Sequence, residues 1–237
     1  MSLFDFLIEP KNFVARERLL HNKLVYEMKV YAASHNRQIQ MTEPEIDNRG
    51  YDFTVTDDVC YEALHIQSKS ALVPGGASSW SIYAGILQPS WHDRDIVPDL
   101  DGLPIPGLAG ATGGILLQLI DTKSAKENEL VIDYRYLDIF CIYANFLGLR
   151  KWPYYSPEKA RAMLKLLQNS NATDRICIPK SAFLPIKSPA AMLAFRFHIP
   201  FSTNFVSNIK LANSLQQKGC KDMHALNWQK VTDQWKP

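Results

Sequence analysis

The chain is poor in cysteine, and its cysteines are scattered. Only Cys60, Cys141, Cys177 and Cys220 occur among 237 residues, and none belongs to a CxxC pair. That spacing argues against a structural zinc site and against a disulfide framework, and it points to a reducing compartment. Long apolar runs are missing too, since none approaches the ~20 residues a membrane span requires. The opening MSLFDFLIEPK places an acid inside its short apolar patch and has no basic leader, unlike a secretory signal. The expectation is a cytoplasmic protein with no membrane partner. GxSxG, HExxH and clustered His/Cys sets are also absent. Gly107, Gly110 and Gly113 form GxxGxxG, but a strand pattern follows them, so neither a dinucleotide cradle nor a P-loop is indicated.

The hydrophobic content of 46% with 21% charged residues is that of a soluble globular chain, long enough for one substantial core. A net charge of only +2 hides an asymmetry. Residues 1–148 hold 12 Lys+Arg against 20 Asp+Glu, and residues 149–237 hold 14 against 4, for nets of −8 and +10. Acid crowds at Glu43, Glu45, Asp47, Asp52, Asp57, Asp58 and Glu62, with Arg49 the single base among them. Such a split either sets a cation site beside a phosphate-attracting surface or draws the two halves together.

Periodicity supplies the elements. Phe13, Leu20, Leu24, Met28 and Tyr31 form an apolar stripe that predicts a helix from about Asn12 to Ser34. Tyr51, Phe53 and Val55 then alternate with Asp52, Thr54 and Thr56, and Leu64 and Ile66 alternate with His65, Gln67 and Lys69. Both runs read as half-buried strands, joined as a hairpin through residues 57–60. A long irregular stretch follows over 71–113, with a short helix or strand at Trp80 to Leu87. Ile115 to Ile120 and Leu137 to Ala144 read as strands buried on both faces. Ser156-Pro157 and Ser188-Pro189 are helix starts, and a last helix runs from about Asn204 to Lys218. One α/β domain over 1–237 is the economical reading, with its core at about 12–145 and a basic helical part at about 149–237.

If Asp52 faces Gln67, partner numbers sum to 119 and the hairpin turn falls between Val59 and Cys60. The two Cβ atoms would then stand about 4.5–5.5 Å apart, close enough for both side chains to reach one cation. Lys69 would face Gly50, whose missing side chain leaves room for an ammonium. Asp52, Gln67 and Lys69 are thus expected on a single polar face, with His65 beside them as a solvated or satisfied histidine.

Gly50-Tyr51-Asp52 on one strand and Gln67-Ser68-Lys69 on the next resemble the PD-(D/E)XK nuclease superfamily in a QxK variant. The likeness is carried by residues 12–70. It implies a restriction-endonuclease-like fold, a central mixed sheet flanked by helices, and magnesium- or manganese-dependent cleavage of DNA phosphodiesters. Asp52 would be the main metal ligand, Gln67 would offer its amide oxygen, and Ser68 its backbone carbonyl. Lys69 would orient or deprotonate the attacking water and stabilise charge on the phosphate. Glu27 matches the glutamate that this family carries on the preceding helix. Magnesium suits such a set because it keeps several waters and needs few protein oxygens. Gln67 stands where the family usually has an acid, which removes one negative charge from the metal site. An inactive nucleic-acid-binding module, or a protein-interaction scaffold of the same fold, therefore stands as the alternative.

The basic Arg150, Lys151, Lys159, Arg161 and Lys165 are candidates for phosphate contacts. Cutting both strands at one place would favour a homodimer. A second DxK at Asp121-Thr122-Lys123 follows the buried ILLQLI run, and Trp91-His92-Asp93-Arg94-Asp95 would decorate the long loop.

Overall fold

The computed structural model describes residues 2–44, 50–58, 63–88, 110–111, 113–146 and 155–193. Helix α1 (Leu3–Ile8) opens with a capping box, in which Ser2 Oγ accepts the Asp5 N–H and the Asp5 carboxylate accepts the Ser2 N–H. Helix α2 (Phe13–Ser34) follows, starting one residue after its expected position. Leu20, Leu24, Met28 and Ala32 are its buried side. Phe13, expected in the same stripe, is 56% exposed and lies under the Arg16 guanidinium at 5.0 Å.

Strands β1 (Ile39–Thr42), β2 (Phe53–Asp57) and β3 (Leu64–Val73) form an antiparallel meander. Strand β4 (Ser79–Tyr83) runs straight into the short helix α3 (Ala84–Leu87), so the Trp80 to Leu87 stretch holds both a strand and a helix. Strand β5 (Gly114–Asp121) then lies parallel to β3, with Gln67 beside Ile115 and Ser70 beside Gln118. After α4 (Thr122–Lys126) comes β6 (Ile132–Asp138), antiparallel to β5. Helices α5 (Ile139–Phe146) and α6 (Pro157–Gln168), strand β7 (Arg175–Pro179) and strand β8 (Leu184–Ile186) complete the described elements. The large sheet has the order β1-β2-β3-β5-β6-β8, and β4 pairs with β7 separately. The β3–β5 joint is the one parallel contact among the described strands. The architecture is mixed α/β, as expected.

Every residue of β5 from Gly114 to Ile120 is buried, so both sheet faces are covered there. On one face the covering element is α2, whose His21 ring stands edge-on to Phe53 at 5.6 Å. Leu20, Leu24 and Met28 are fully buried, as are Val55 and Ile66 of the sheet. Each such side chain contributes about 1.5–3 kcal/mol relative to exposure.

Two sequence expectations take different forms. Leu137 to Ala144 is not one strand, because β6 ends at Asp138 and α5 begins at Ile139. The Asp138 carboxylate accepts the Cys141 N–H at 2.6 Å and so starts a helix inside an apolar run that suits either structure. Asp121 of the second DxK caps α4, accepting from the Lys123 and Ser124 backbones and from Ser124 Oγ. Those hydrogen bonds, led by the one from the Ser124 side chain, hold its carboxyl below the usual range. The Ser156 start is as read, with Ser156 Oγ accepting the Lys159 N–H at 3.4 Å. The last helix at 204–218 and the segment 91–95 lie outside the described residues. No helix among the described residues is long and apolar enough to cross a membrane.

Candidate functional site

Strands β2 and β3 pair with Phe53 opposite Ile66, Thr54 opposite His65 and Val55 opposite Leu64. This is the register expected from the sequence. At its end the ladder changes. The Asp52 N–H donates to Ile66 O at 2.8 Å, one residue off that register. Asp52 and Phe53 therefore both stand against Ile66, as in a β-bulge. Gly50, just before, has φ of +75°, a left-handed conformation that favours glycine. β3 continues to Val73, past the start of β2. At the parting point Asp52 Oδ2 accepts the Ser68 N–H at 2.6 Å, a donor that a longer β2 would have met with a carbonyl.

Two further bonds fix which way β3 faces. Gln118 Nε2 donates to Ser68 Oγ at 2.8 Å, and Ser70 Oγ donates to Glu17 Oε1 of α2 at 2.9 Å. Ser68 and Ser70 thus look toward α2, and strand alternation turns Gln67 and Lys69 to the other side. The single polar face expected for Asp52, Gln67 and Lys69 is corrected accordingly. The bulge sets Asp52 with Phe53 and Ser68, while Gln67, 4% exposed, is buried and its Oε1 has no hydrogen-bond partner.

A cavity of about 740 Å³ opens where β2 leaves β3, bounded by α2 and the sheet. Asp52, Ser68 and Lys69 line it together with Glu17, Ser70 and Gln118. Arg16, Arg18, His21 and Glu43 also line it, so acids and bases are nearly balanced there. His21 Nε2 and Glu43 Oε1 are 3.4 Å apart.

Glu27 is not among the lining residues. Its carboxylate is 2.6 Å from Lys23 Nζ and accepts from Tyr134 OH at 3.5 Å. Burial, and then the Glu27 charge, push the Tyr134 phenol far above the ordinary tyrosine range. The helical acid that does reach the cavity is Glu17, ten residues earlier on α2. Sequence reasoning missed Glu17, Ser70 and Gln118. A signal existed for two of them: Ser70 continues the inward phase of Leu64 and Ile66, and Gln118 breaks an otherwise apolar run. A buried amide in such a place requires partners. His65 is satisfied, with Thr54 Oγ1 3.1 Å from its Nδ1 and the Tyr51 ring at 4.5 Å. Lys159, Arg161 and Lys165 are exposed on α6 and do not line the cavity, while Arg150 and Lys151 lie outside the described residues.

The fit to magnesium is partial. Asp52 offers a carboxylate at the strand parting, but the Gln67 amide oxygen is buried on the other side of β3 and does not line the cavity. Among the described residues no group of three or more His, Cys, Asp or Glu could hold a metal ion. An ion held here would keep most of its waters, which magnesium tolerates well. Comparison with protein-family models and with curated proteins finds no match.

Proposed function

We propose that the chain is a magnesium- or manganese-dependent nuclease, or a nuclease-like protein, acting on DNA from a restriction-endonuclease-like fold. The observation that carries this reading is the parting of β2 from β3 at Asp52. There a carboxylate takes the Ser68 N–H and borders one cavity with Lys69. A mixed sheet in ascending chain order around one parallel joint supports the fold side of the reading.

Asp52 is the group that would hold the metal, with the Ser68 carbonyl on the flank of β3 that β2 has left, while Gln67 is turned to the other side of the strand. When bound, the ion supplies an activated water near neutral pH and charge stabilisation at the phosphate. The chain's own share is positional. The Ser68 N–H holds the Asp52 carboxylate in position. Lys69, whose side chain leaves the far side of β3, would reach round the open strand edge to bring a positive charge to a phosphate oxygen and orient the attacking water. Arg16 and Arg18, on α2, add positive charge to the same wall.

The test is cleavage of plasmid and single-stranded DNA with Mg²⁺ or Mn²⁺ by wild type, Asp52→Ala and Lys69→Ala. Metal-dependent cutting that drops by at least 100-fold in both variants is expected, since each removes a group acting at the reacting phosphate (roughly 10²–10³ per electrostatic contact). Undiminished cutting in either variant overturns the site assignment. Gln67 in place of an acid, with Asp52 the one carboxylate at the strand parting among the described residues, favours a second reading: a nucleic-acid-binding module without catalysis. Its signature is salt-dependent DNA affinity with no cutting by pure wild type.

A further inference from the structure

Strand β3 is longer than the partner that covers its outer flank. It pairs with β2 only as far as Ile66 opposite Phe53, yet it runs on to Val73. The other flank is occupied throughout, since β5 pairs with it from Ile66 to Val73. Along a strand, the N–H and C=O of alternate residues point to the same side. Ile66 O accepts the Asp52 N–H, and the Ser68 N–H meets the Asp52 carboxylate, so the even-numbered residues face the flank that β2 has left. The Ser68 C=O, the Ser70 N–H and C=O and the Leu72 N–H form that edge. No hydrogen bond among the described residues reaches any of the four. Residues 68–73 are accordingly only half-buried, although β3 lies third of six in its sheet. Two cavities, of about 740 and 510 Å³, meet along the edge and share Arg16 and Ser70. The exposed Ile8, Phe13 and Val14 line them. The acids of the larger cavity are engaged, Glu17 by Ser70, Glu43 by His21 and Asp52 by Ser68. Its Arg18 and Lys69, and Lys126 of the smaller one, meet no carboxylate among the described residues.

We propose that this edge takes an extended segment of a partner protein in which apolar and acidic residues alternate. A bare strand edge is a template for another strand, and its four groups ask for a backbone that returns N–H for C=O at the same spacing. Side chains of the added strand alternate between the two faces of the sheet, as those of β3 do. One set falls on the α2 side, where Ile8, Phe13 and Val14 receive apolar groups. The other set falls on the side from which Lys69 leaves the strand, and carboxylates there meet its ammonium. Arg18 and Lys126 bring the same sign of charge to the two ends of the groove. In such a complex the main-chain bonds supply affinity and the alternate side chains supply selectivity. A nucleic-acid strand has the charge for these cations but no donors and acceptors alternating at the ~6.6 Å repeat of same-side residues. The inference stands apart from the nuclease reading, which needs Asp52 and a metal.

The probe is a fluorescein-labelled octapeptide of alternating valine and glutamate, titrated with the full chain in EDTA and followed by fluorescence polarisation. Saturable binding is expected, roughly tenfold or more tighter than for a peptide with the valines and glutamates in separate blocks. N-methylation of the alternate peptide nitrogens aimed at β3 should weaken binding roughly tenfold or more, and methylation of the other set, which points away, by less than about threefold. In the protein, Ser70→Pro removes the edge N–H, whereas Ser70→Ala removes only the hydroxyl. Ser70→Pro should lose roughly tenfold or more in affinity, and Ser70→Ala should stay within about threefold of wild type. Proline suits this position because that N–H faces the open edge and not β5. Circular dichroism melting checks that Ser70→Pro is folded, and if it is not, the methylated peptides and Lys69→Glu, expected to bind roughly fivefold more weakly, decide without it. No saturable binding, equal effects of the two methylations, or wild-type affinity in folded Ser70→Pro each overturn the inference. A dimer that Ser70→Pro dissolves would overturn it by giving the edge to a second copy. Tighter binding of a labelled single-stranded oligonucleotide, lost in Ser70→Pro, would give the edge to nucleic acid instead. Metal-dependent DNA cutting is assayed separately, and neither its presence nor its absence alters these outcomes.

Discussion

Gly50 carries the sharpest test of how Asp52 is positioned. Its φ of +75° requires left-handed backbone, and a Cβ added there would meet the ring of Tyr83. Gly50→Ala therefore pays twice. The left-handed conformation costs an alanine roughly 1 kcal/mol, and forcing a methyl against a packed ring costs about 1–3 kcal/mol more. The expected loss is about 2–4 kcal/mol, or roughly 5–15 °C in melting temperature for a chain of this size. Urea denaturation followed by circular dichroism measures it. The two contributions separate in a Tyr83→Ala background, where the ring is gone and only the backbone cost of about 1 kcal/mol should persist. An equal cost in both backgrounds would refute the contact with Tyr83, and a loss below about 0.5 kcal/mol in wild type would refute the conformational argument as well.

The end of β2 and the core beside α2 yield two further predictions. The Arg37 guanidinium donates to Asp57 Oδ1 at 3.0 Å and to Asp58 Oδ1 at 3.2 Å, and the Asp57 side chain is 1% exposed. Arg37→Met takes the positive charge from a buried carboxylate and should cost about 3 kcal/mol in urea denaturation, whereas a loss under about 1 kcal/mol would mean the pair is immaterial. Tyr134, buried and close to the Glu27 charge, keeps its proton in the folded chain well above the unfolded value of about 10. The unfolded chain loses that proton first, so the stability linked to Tyr134 is whole below pH ~10 and falls as pH rises, by up to ~1.4 kcal/mol per pH unit. Tyr134→Phe should flatten the decline of urea midpoints between about pH 9.5 and 11, leaving a share from Tyr31 and Tyr155, both pushed up to about 12 by burial. Identical slopes in the two proteins would remove Tyr134 from the alkaline transition.

Much of the scaffold was readable because local patterns and tertiary demands agree in it. Alternation in Phe53 to Val55 and Leu64 to Ile66 fixed both the strands and their register, since a one-residue slip would turn Phe53 and Ile66 out of the core. Ser156-Pro157 marked α6 because a capping hydroxyl and a preset φ act within one turn. The losses came where the answer depends on more distant partners. Residues 137–144 are apolar except for Asp138, and whether they continue a strand or coil into α5 is decided by its carboxylate. The site suffered in a similar way. Polarity grouped Asp52 with Gln67 and Lys69, but a bulge shifts one residue of phase, and the residues sharing the cavity wall with Asp52 include the modest Ser68 and Ser70. Glu27 had the helical phase but not the height along α2; only the placement of β3 singles out Glu17.

The lone parallel joint has a consequence for how the protein comes to exist. The α2–β1–β2–β3 portion and the β5–β6 pair are each built from neighbours in sequence, but uniting them means bringing together Val73 and Gly114, about 40 residues apart. Closing so long a loop loses chain entropy before any contact rewards it, so this seam is expected to zip late. Ser68 and Ser70 come from one side of that seam and Gln118 from the other. Before it closes the cavity lacks Gln118, the lining residue that β5 supplies. The cavity is therefore completed in the final stage of folding, and a half-assembled chain, however rich in helix and strand, leaves it open on the β5 side.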